Sequence, residues 1–183
     1  MSTYPGTVIE VIKLKKGGSR TLFDGIFAAG GITLSQVCSM TGLEPYVVQN
    51  WVKRKFVSSP RKKIYSAEQF ARIVIINMLR DTLQIESICN LISVIGGNAN
   101  NPADDLISDD ELYHRYVDMI SSVQINITDE ASVKKAVAKA SADFKPRIDG
   151  DQIKLQRVLE VMLYAHSAAT LHENAKQILG LFY

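Results

Sequence analysis

Residues 51–66 read WVKRKFVSSPRKKIYS, and the eleven positions from Lys53 to Lys63 hold six basic residues and no acidic one. Lys and Arg spaced this way can neutralise a row of phosphates. Each phosphate contact on a duplex releases condensed counterions, so affinity falls with salt at a slope of about −0.9 per contact. Arg54, Lys55, Arg61, Lys62 and Lys63 are the candidate phosphate contacts. Just upstream, Tyr46, Gln49, Asn50 and Lys53 lie on the polar side of a short helical stretch. Gln and Asn can pair bidentately with adenine edges, and Lys or Arg with guanine. These four are the candidate base contacts. Three plainer accounts compete: a solvated lysine-rich loop, a wet helix face, or a surface for an acidic protein or anionic membrane. The chain has no strongly basic amphipathic helix that would favour the membrane.

Other chemistry has little support. His166 and His172 are six residues apart, so they do not share a helix face, and His114 is remote from both. Metal binding needs convergent ligands. There is no Gly-rich phosphate loop after a strand, no G-x-S-x-G, and no Cys/His pairing in range. Asp104, Asp105, Asp109, Asp110 and Glu111 read most simply as favourable charge at a helix N-terminus. Asp149-Gly150-Asp151 matches a fragment of a calcium loop and lacks the rest, including the closing Glu. No catalytic residue, metal or cofactor is assigned, and the protein is read as a non-enzyme. Cys38 and Cys89 sit among apolar neighbours and are expected to be reduced and buried.

The elements that must position the basic run follow from periodicity and breakers. The alternation VIEVIKLKK within residues 4–16 suggests a short strand. Residues 19–29 suggest a short helix capped by Ser19. Helical spacing of Leu34, Val37, Cys38 and Thr41 is ended by Gly42. A second short helix opens at Glu44-Pro45, with Val47, Val48 and Trp51 on one face. Pro60 breaks the basic run, and Ile64-Tyr65 is extended. Ser66-Ala67-Glu68-Gln69 is a capping box launching a helix to Arg80, with Phe70, Ile73, Val74 and Met78 as its buried stripe. Further helices are expected at 82–95, 108–122, 128–143 and 151–179. The Gly-, Asn- and Pro-containing stretch 96–102 is read as a linker.

Two short helices joined at a Gly, with a small residue at the crossing, make a helix-turn-helix. Here Cys38 is the small residue and Gly42 the turn, and Val37, Leu43, Val48 and Trp51 fall on the inward positions. Residues 33–92 resemble the DNA-binding head of MerR-type regulators. The resemblance rests on Thr41-Gly42-Leu43 at the turn, Pro60-Arg61 in the basic wing and Ile64-Tyr65-Ser66 before the capped helix. It departs at Gln49, where that family usually has Arg, and at Asn50-Trp51, which replace a tyrosine pair. Lys55 replaces a Gly, and the wing is shorter. The layout as a whole is similar to a bacterial family of unknown function that joins such a head to a helical tail. The resemblance implies a recognition helix in the major groove and a wing on adjacent phosphates.

Charge supports this division. The net charge is +2, but residues 1–80 carry 12 Lys/Arg against 4 Asp/Glu, and residues 81–183 carry 9 against 15. A basic front half suits a polyanion. The expected fold is mainly α: a segment at 1–18, a winged helix-turn-helix at 19–95, the linker, and an α-helical region at 103–183. The expected function is sequence-specific double-stranded DNA binding as a transcriptional regulator, with a homodimer through the C-terminal helices because one head reads only a half-site. The alternative is a helical protein-interaction module with an acidic partner. No apolar run spans a bilayer and no signal peptide is evident, so a cytoplasmic location is expected.

Overall fold

The computed structural model describes residues 1–96, 106–122 and 124–182. The chain is mainly helical. Its α-helices are α1 (Gly18–Phe27), α2 (Leu34–Thr41), α3 (Pro45–Lys53), α4 (Ala67–Leu79), α5 (Ile85–Gly96), α6 (Asp109–Ser122), α7 (Glu130–Ala140) and α8 (Asp151–Leu179). Among the described residues, four two-residue strands form two small antiparallel sheets. β1 (Ser2–Thr3) pairs with β2 (Glu10–Val11), and β3 (Ile32–Thr33) with β4 (Ile64–Tyr65).

α4 is the centre of the fold. The sequence predicts a single buried stripe, but Phe70 to Ile76, Met78 and Leu79 are all buried. The reason is that α4 is covered from several sides, with α2 against one part of it and α5, α6 and α8 against others. A helix apolar all round belongs in an interior. Phe23 of α1 stacks at 5.6 Å on Tyr113 of α6 and lies 5.4 Å from Phe70 of α4. One apolar core therefore runs from the front half of the chain into the back half.

Several N-terminal expectations shift. Residues 4–16 supply only β2, because Tyr4 to Val8 turns sharply and Val8 N–H donates to the Met40 carbonyl at 2.9 Å. Ser19 is not the cap of α1. Gly17 holds that position at φ 75°, its N–H donating to Asp118 Oδ1 at 2.7 Å. Ser19 is buried, 2.9 Å from His114 Nδ1. α7 is capped by Asp129, whose carboxylate accepts from Ala131 N–H. α5 starts at Ile85 instead of Thr82, whose hydroxyl lies within hydrogen-bonding distance of the Leu79 and Ala165 carbonyls. Of the linker read at 96–102, Gly96 is the last residue of α5, and the rest lies outside the described residues, as do Asp104 and Asp105. Asp151 supports no cation loop. Its carboxylate accepts the N–H groups of Arg147 and Ile148 and pairs with Lys154.

Candidate nucleic-acid interface

The α2–α3 pair forms for local reasons. Thr33 and Gln36 make a reciprocal capping box at the start of α2, with the Thr33 N–H donating to Gln36 Oε1 at 2.8 Å. Gly42 ends α2 in the left-handed region at φ 70°, its N–H donating to the Cys38 carbonyl at 2.9 Å. That conformation favours glycine. Pro45 opens α3 in its first turn, where a missing N–H costs nothing. Val37, Leu43, Val48 and Trp51 are all buried, as the spacing predicts. Cys38 and Cys89 are only half-buried free thiols, which corrects the expectation of full burial. Burial nevertheless pushes both thiol pKa values up.

The basic run leaves α3 directly. Phe56 N–H donates to the Trp51 carbonyl at 2.9 Å, and Val57 is buried. At the far end, Ile64 N–H donates to the Arg61 carbonyl at 2.9 Å, closing a two-residue turn of Lys62 and Lys63. Both central residues have positive φ, 48° and 64°, as in the type I′ turns that favour Asn-Gly. β4 then pairs with β3, Ile32 opposite Tyr65 and Thr33 opposite Ile64, which ties the hairpin to the start of α2. The strand pair is close-fitting: a Cβ on Gly31 would lie 2.4 Å from Ile64 Cγ2 and 2.9 Å from the Tyr65 carbonyl oxygen. Tyr65 is buried, and that burial raises its phenol pKa.

Lys55, Lys62 and Lys63 are the non-glycine residues with positive φ among the described residues. An L-residue in this region costs about 1–2 kcal/mol. All three positions are exposed, so packing does not demand lysine. Strain of this kind gathers at functional sites.

Two side chains of α4 hold the segment in place. Ser66 and Gln69 form the capping box the sequence predicts. The Gln69 amide also lies 3.0 Å from the Ser58 carbonyl and 3.1 Å from that of Ser59. Arg72 donates from Nε to the Phe56 carbonyl at 2.8 Å, and its other end pairs with Asp109 at 2.8 Å in a buried ion pair. Asp109 is the first residue of α6, so Arg72 joins the root of the basic hairpin to the C-terminal half. Sequence reasoning missed both roles. The local signal was an Arg within the apolar run from Phe70 to Ile76 of α4.

The four candidate base contacts, Tyr46, Gln49, Asn50 and Lys53, are exposed on or at the end of α3. Lys55, Arg61, Lys62 and Lys63 are also exposed. None of these eight side chains makes a hydrogen bond or ion pair among the described residues. Arg54 differs: it is paired with Glu86 of α5 and stacked over the Phe56 ring at 4.5 Å. It is half-exposed but engaged, which sets it apart from the other phosphate candidates. No three His, Cys, Asp or Glu side chains are gathered to hold a metal among the described residues. Nor is any helix there long and apolar enough to cross a membrane.

A family described as a domain of unknown function, DUF1836, matches residues 32–116, from β3 into α6. The match therefore takes in α2, α3, the basic hairpin, α4 and the Arg72–Asp109 pair. The chain is also 25% identical over 165 residues to the Uncharacterized protein YkrK of Bacillus subtilis (strain 168), covering 81% of this chain and 70% of that protein. No solved structure matches.

Proposed function

We propose that this protein is a sequence-specific double-stranded DNA-binding protein acting in transcription regulation, built on a MerR-like winged helix-turn-helix and without enzymatic activity. α3 enters the major groove with Tyr46, Gln49, Asn50 and Lys53 toward base edges. The hairpin lays Lys55, Arg61, Lys62 and Lys63 on neighbouring phosphates, and Arg54 joins them if Glu86 releases it. The C-terminal helices join two copies, so that two half-sites are read together.

One observation carries this reading: three exposed lysines occupy left-handed positions where glycine or asparagine would cost less. The strain has a purpose if the cations are needed there. A titration of duplex DNA at about 50 and 200 mM salt tests it. Four or five phosphate contacts give a slope near −4 and a loss of roughly 100–500-fold in affinity. No binding at the lower salt overturns the reading. Binding to an acidic polypeptide but not to DNA would instead favour a protein-interaction module. Base reading has its own check. Gln49→Ala should weaken the sequence enriched from a random pool and leave non-specific binding unchanged; a uniform effect on all sequences rejects it.

A further inference from the structure

Apart from the basic hairpin, a second group of charged side chains gathers round a cavity of about 270 Å³ between the start of α1, α6 and the end of α7. Lys16, Arg20, Arg115 and Lys139 line it together with the carboxylates of Asp118 and Asp143. Met119 and Ala136 add apolar wall. The carboxylates are already engaged. Asp118 accepts the Gly17 N–H at 2.7 Å. Asp143 pairs with Arg115 at 2.5 Å. Glu111, one turn before Arg115 on α6, lies 2.6 Å from Arg20 and 2.8 Å from Arg115. Lys16 and Lys139 differ from the two arginines. Both are exposed, and neither makes a hydrogen bond or ion pair among the described residues. Lys16 comes just before α1 and Lys139 stands in the last turn of α7, so two segments far apart in sequence each bring an unpaired cation to one cavity. Four cations against three carboxylates leave the group at +1.

The Arg115–Asp143 pair is unequal. The Arg115 side chain is 12% exposed and that of Asp143 is 78% exposed. A buried guanidinium needs a counter-charge. Here the counter-charge comes from the loop after α7 and stands mostly in water, where an ion pair contributes little. An incoming anion can therefore replace it at small cost. Arg115 would keep its other anchor, since its Nη1 also donates to the Ala140 carbonyl at 3.0 Å. With Asp143 turned out to solvent, the group facing the cavity carries +2, which matches a dianion.

We infer that this cavity binds a small phosphate monoester with a compact apolar body, its phosphate taking the place of the Asp143 carboxylate. Arg115 meets two phosphate oxygens in the forked geometry a guanidinium favours, and Lys16 and Lys139 act as point charges. A phosphate monoester carries close to two charges above its second pKa of about 6, whereas a carboxylate carries one. The apolar body rests on Met119 and Ala136. A benzene ring fills a cavity of ~150 Å³, so the volume here admits a ring with a phosphate attached. The inference goes beyond the DNA-binding reading and does not rest on it.

Calorimetric titration of the full chain with phenyl phosphate, at low salt and about pH 7.5, gives the test. Saturable binding with Kd below about 1 mM is expected. Lys16→Ala and Lys139→Ala should each weaken it roughly 10-fold. Melting of the unliganded variants should be unchanged, because both side chains are exposed and unpaired. Asp143→Asn removes the rival negative charge and should tighten binding roughly 10-fold. Lys62→Ala with Lys63→Ala should leave it unchanged. Absence of binding up to about 10 mM overturns the inference, as does binding that the Lys16 and Lys139 variants leave intact or that Asp143→Asn weakens. Loss in the Lys62, Lys63 variant would put the anion on the hairpin and overturn it as well. Benzoate should bind at least about 10-fold more weakly than phenyl phosphate; equal binding would rule out the dianion. No readout uses DNA, so failure here and failure of the DNA-binding reading are distinguishable.

Discussion

At Lys62 and Lys63, charge and backbone conformation conflict. Both residues occupy left-handed φ values in a two-residue hairpin turn, where Asn-Gly is the low-strain pair. Replacing Lys62→Asn with Lys63→Gly should stabilise the fold by about 1 kcal/mol in urea melts. If the protein binds DNA as proposed, the same pair should weaken binding on all sequences alike and reduce the salt slope by about 2, one for each lost phosphate contact. Unchanged binding would show that the lysines are tolerated and not used. A second residue-scale prediction concerns His166. Its Nδ1 lies 2.7 Å from the Tyr116 hydroxyl, and burial lowers its pKa to about 4. The unfolded chain takes up this proton near pH 6.5 and the folded protein only near 4. Stability from the neutral imidazole is therefore fully present above about pH 6.5 and is lost as pH falls from there toward 4. That loss is on the order of 3 kcal/mol. His114 is lowered in the same direction, with burial the main cause. Thermal melts between pH 4.5 and 7.5 should show the decline, and His166→Gln should flatten part of it.

The helix ends of the candidate interface are set by side chains close in sequence. Gly42→Ala places an L-residue at φ 70°, with its Cβ 3.0 Å from Val8 Cγ1. It should cost about 1–2 kcal/mol and loosen the α2–α3 junction. Gln69 performs two tasks, since it closes the capping box on Ser66 and reaches the carbonyls of Ser58 and Ser59. Gln69→Ala should therefore cost more than the roughly 1 kcal/mol of an ordinary cap. Amide exchange should rise in residues 56–64 as well as at the start of α4. A rise confined to α4 would show that the basic hairpin is held by its root and its strand alone.

Across the whole molecule, the buried Arg72–Asp109 pair is an electrostatic tie between the basic hairpin and the C-terminal helices. Arg72→Met removes one ion-pair partner of a buried carboxylate and should destabilise the fold by a few kcal/mol. Adding Asp109→Leu should recover much of that stability, because a well-packed apolar pair replaces a buried ion pair at little cost. On the proposed DNA-binding function, affinity should fall in Arg72→Met and stay low in the double variant, since the Arg72 bond to the Phe56 carbonyl is still missing. If affinity returns together with stability, Arg72 acts only through folding. The pair also shows why a division drawn from composition gives a partial picture. Charge changes sign between residues 1–80 and 81–183, yet α4 and α6 pack against each other in one core.

The sequence alone determined what depends on neighbours within one or two helical turns. The Ser66–Gln69 box, the stop at Gly42, Pro45 in the first turn of α3 and the inward set Val37, Leu43, Val48 and Trp51 were all legible from spacing. So was the span of α8, and so was the exposed basic run after α3. Tertiary structure decided what depends on segments meeting from far apart. It buried α4 on all sides, turned Ser19 from a cap into a partner of His114, and paired Arg72 with Asp109. It also drew Arg54 toward Glu86 and away from its neighbours in the basic run. Periodicity says which face of an element is apolar, but not how many elements will cover it. Nor can the spacing of charges in sequence say which of them will find a partner once the chain has closed on itself.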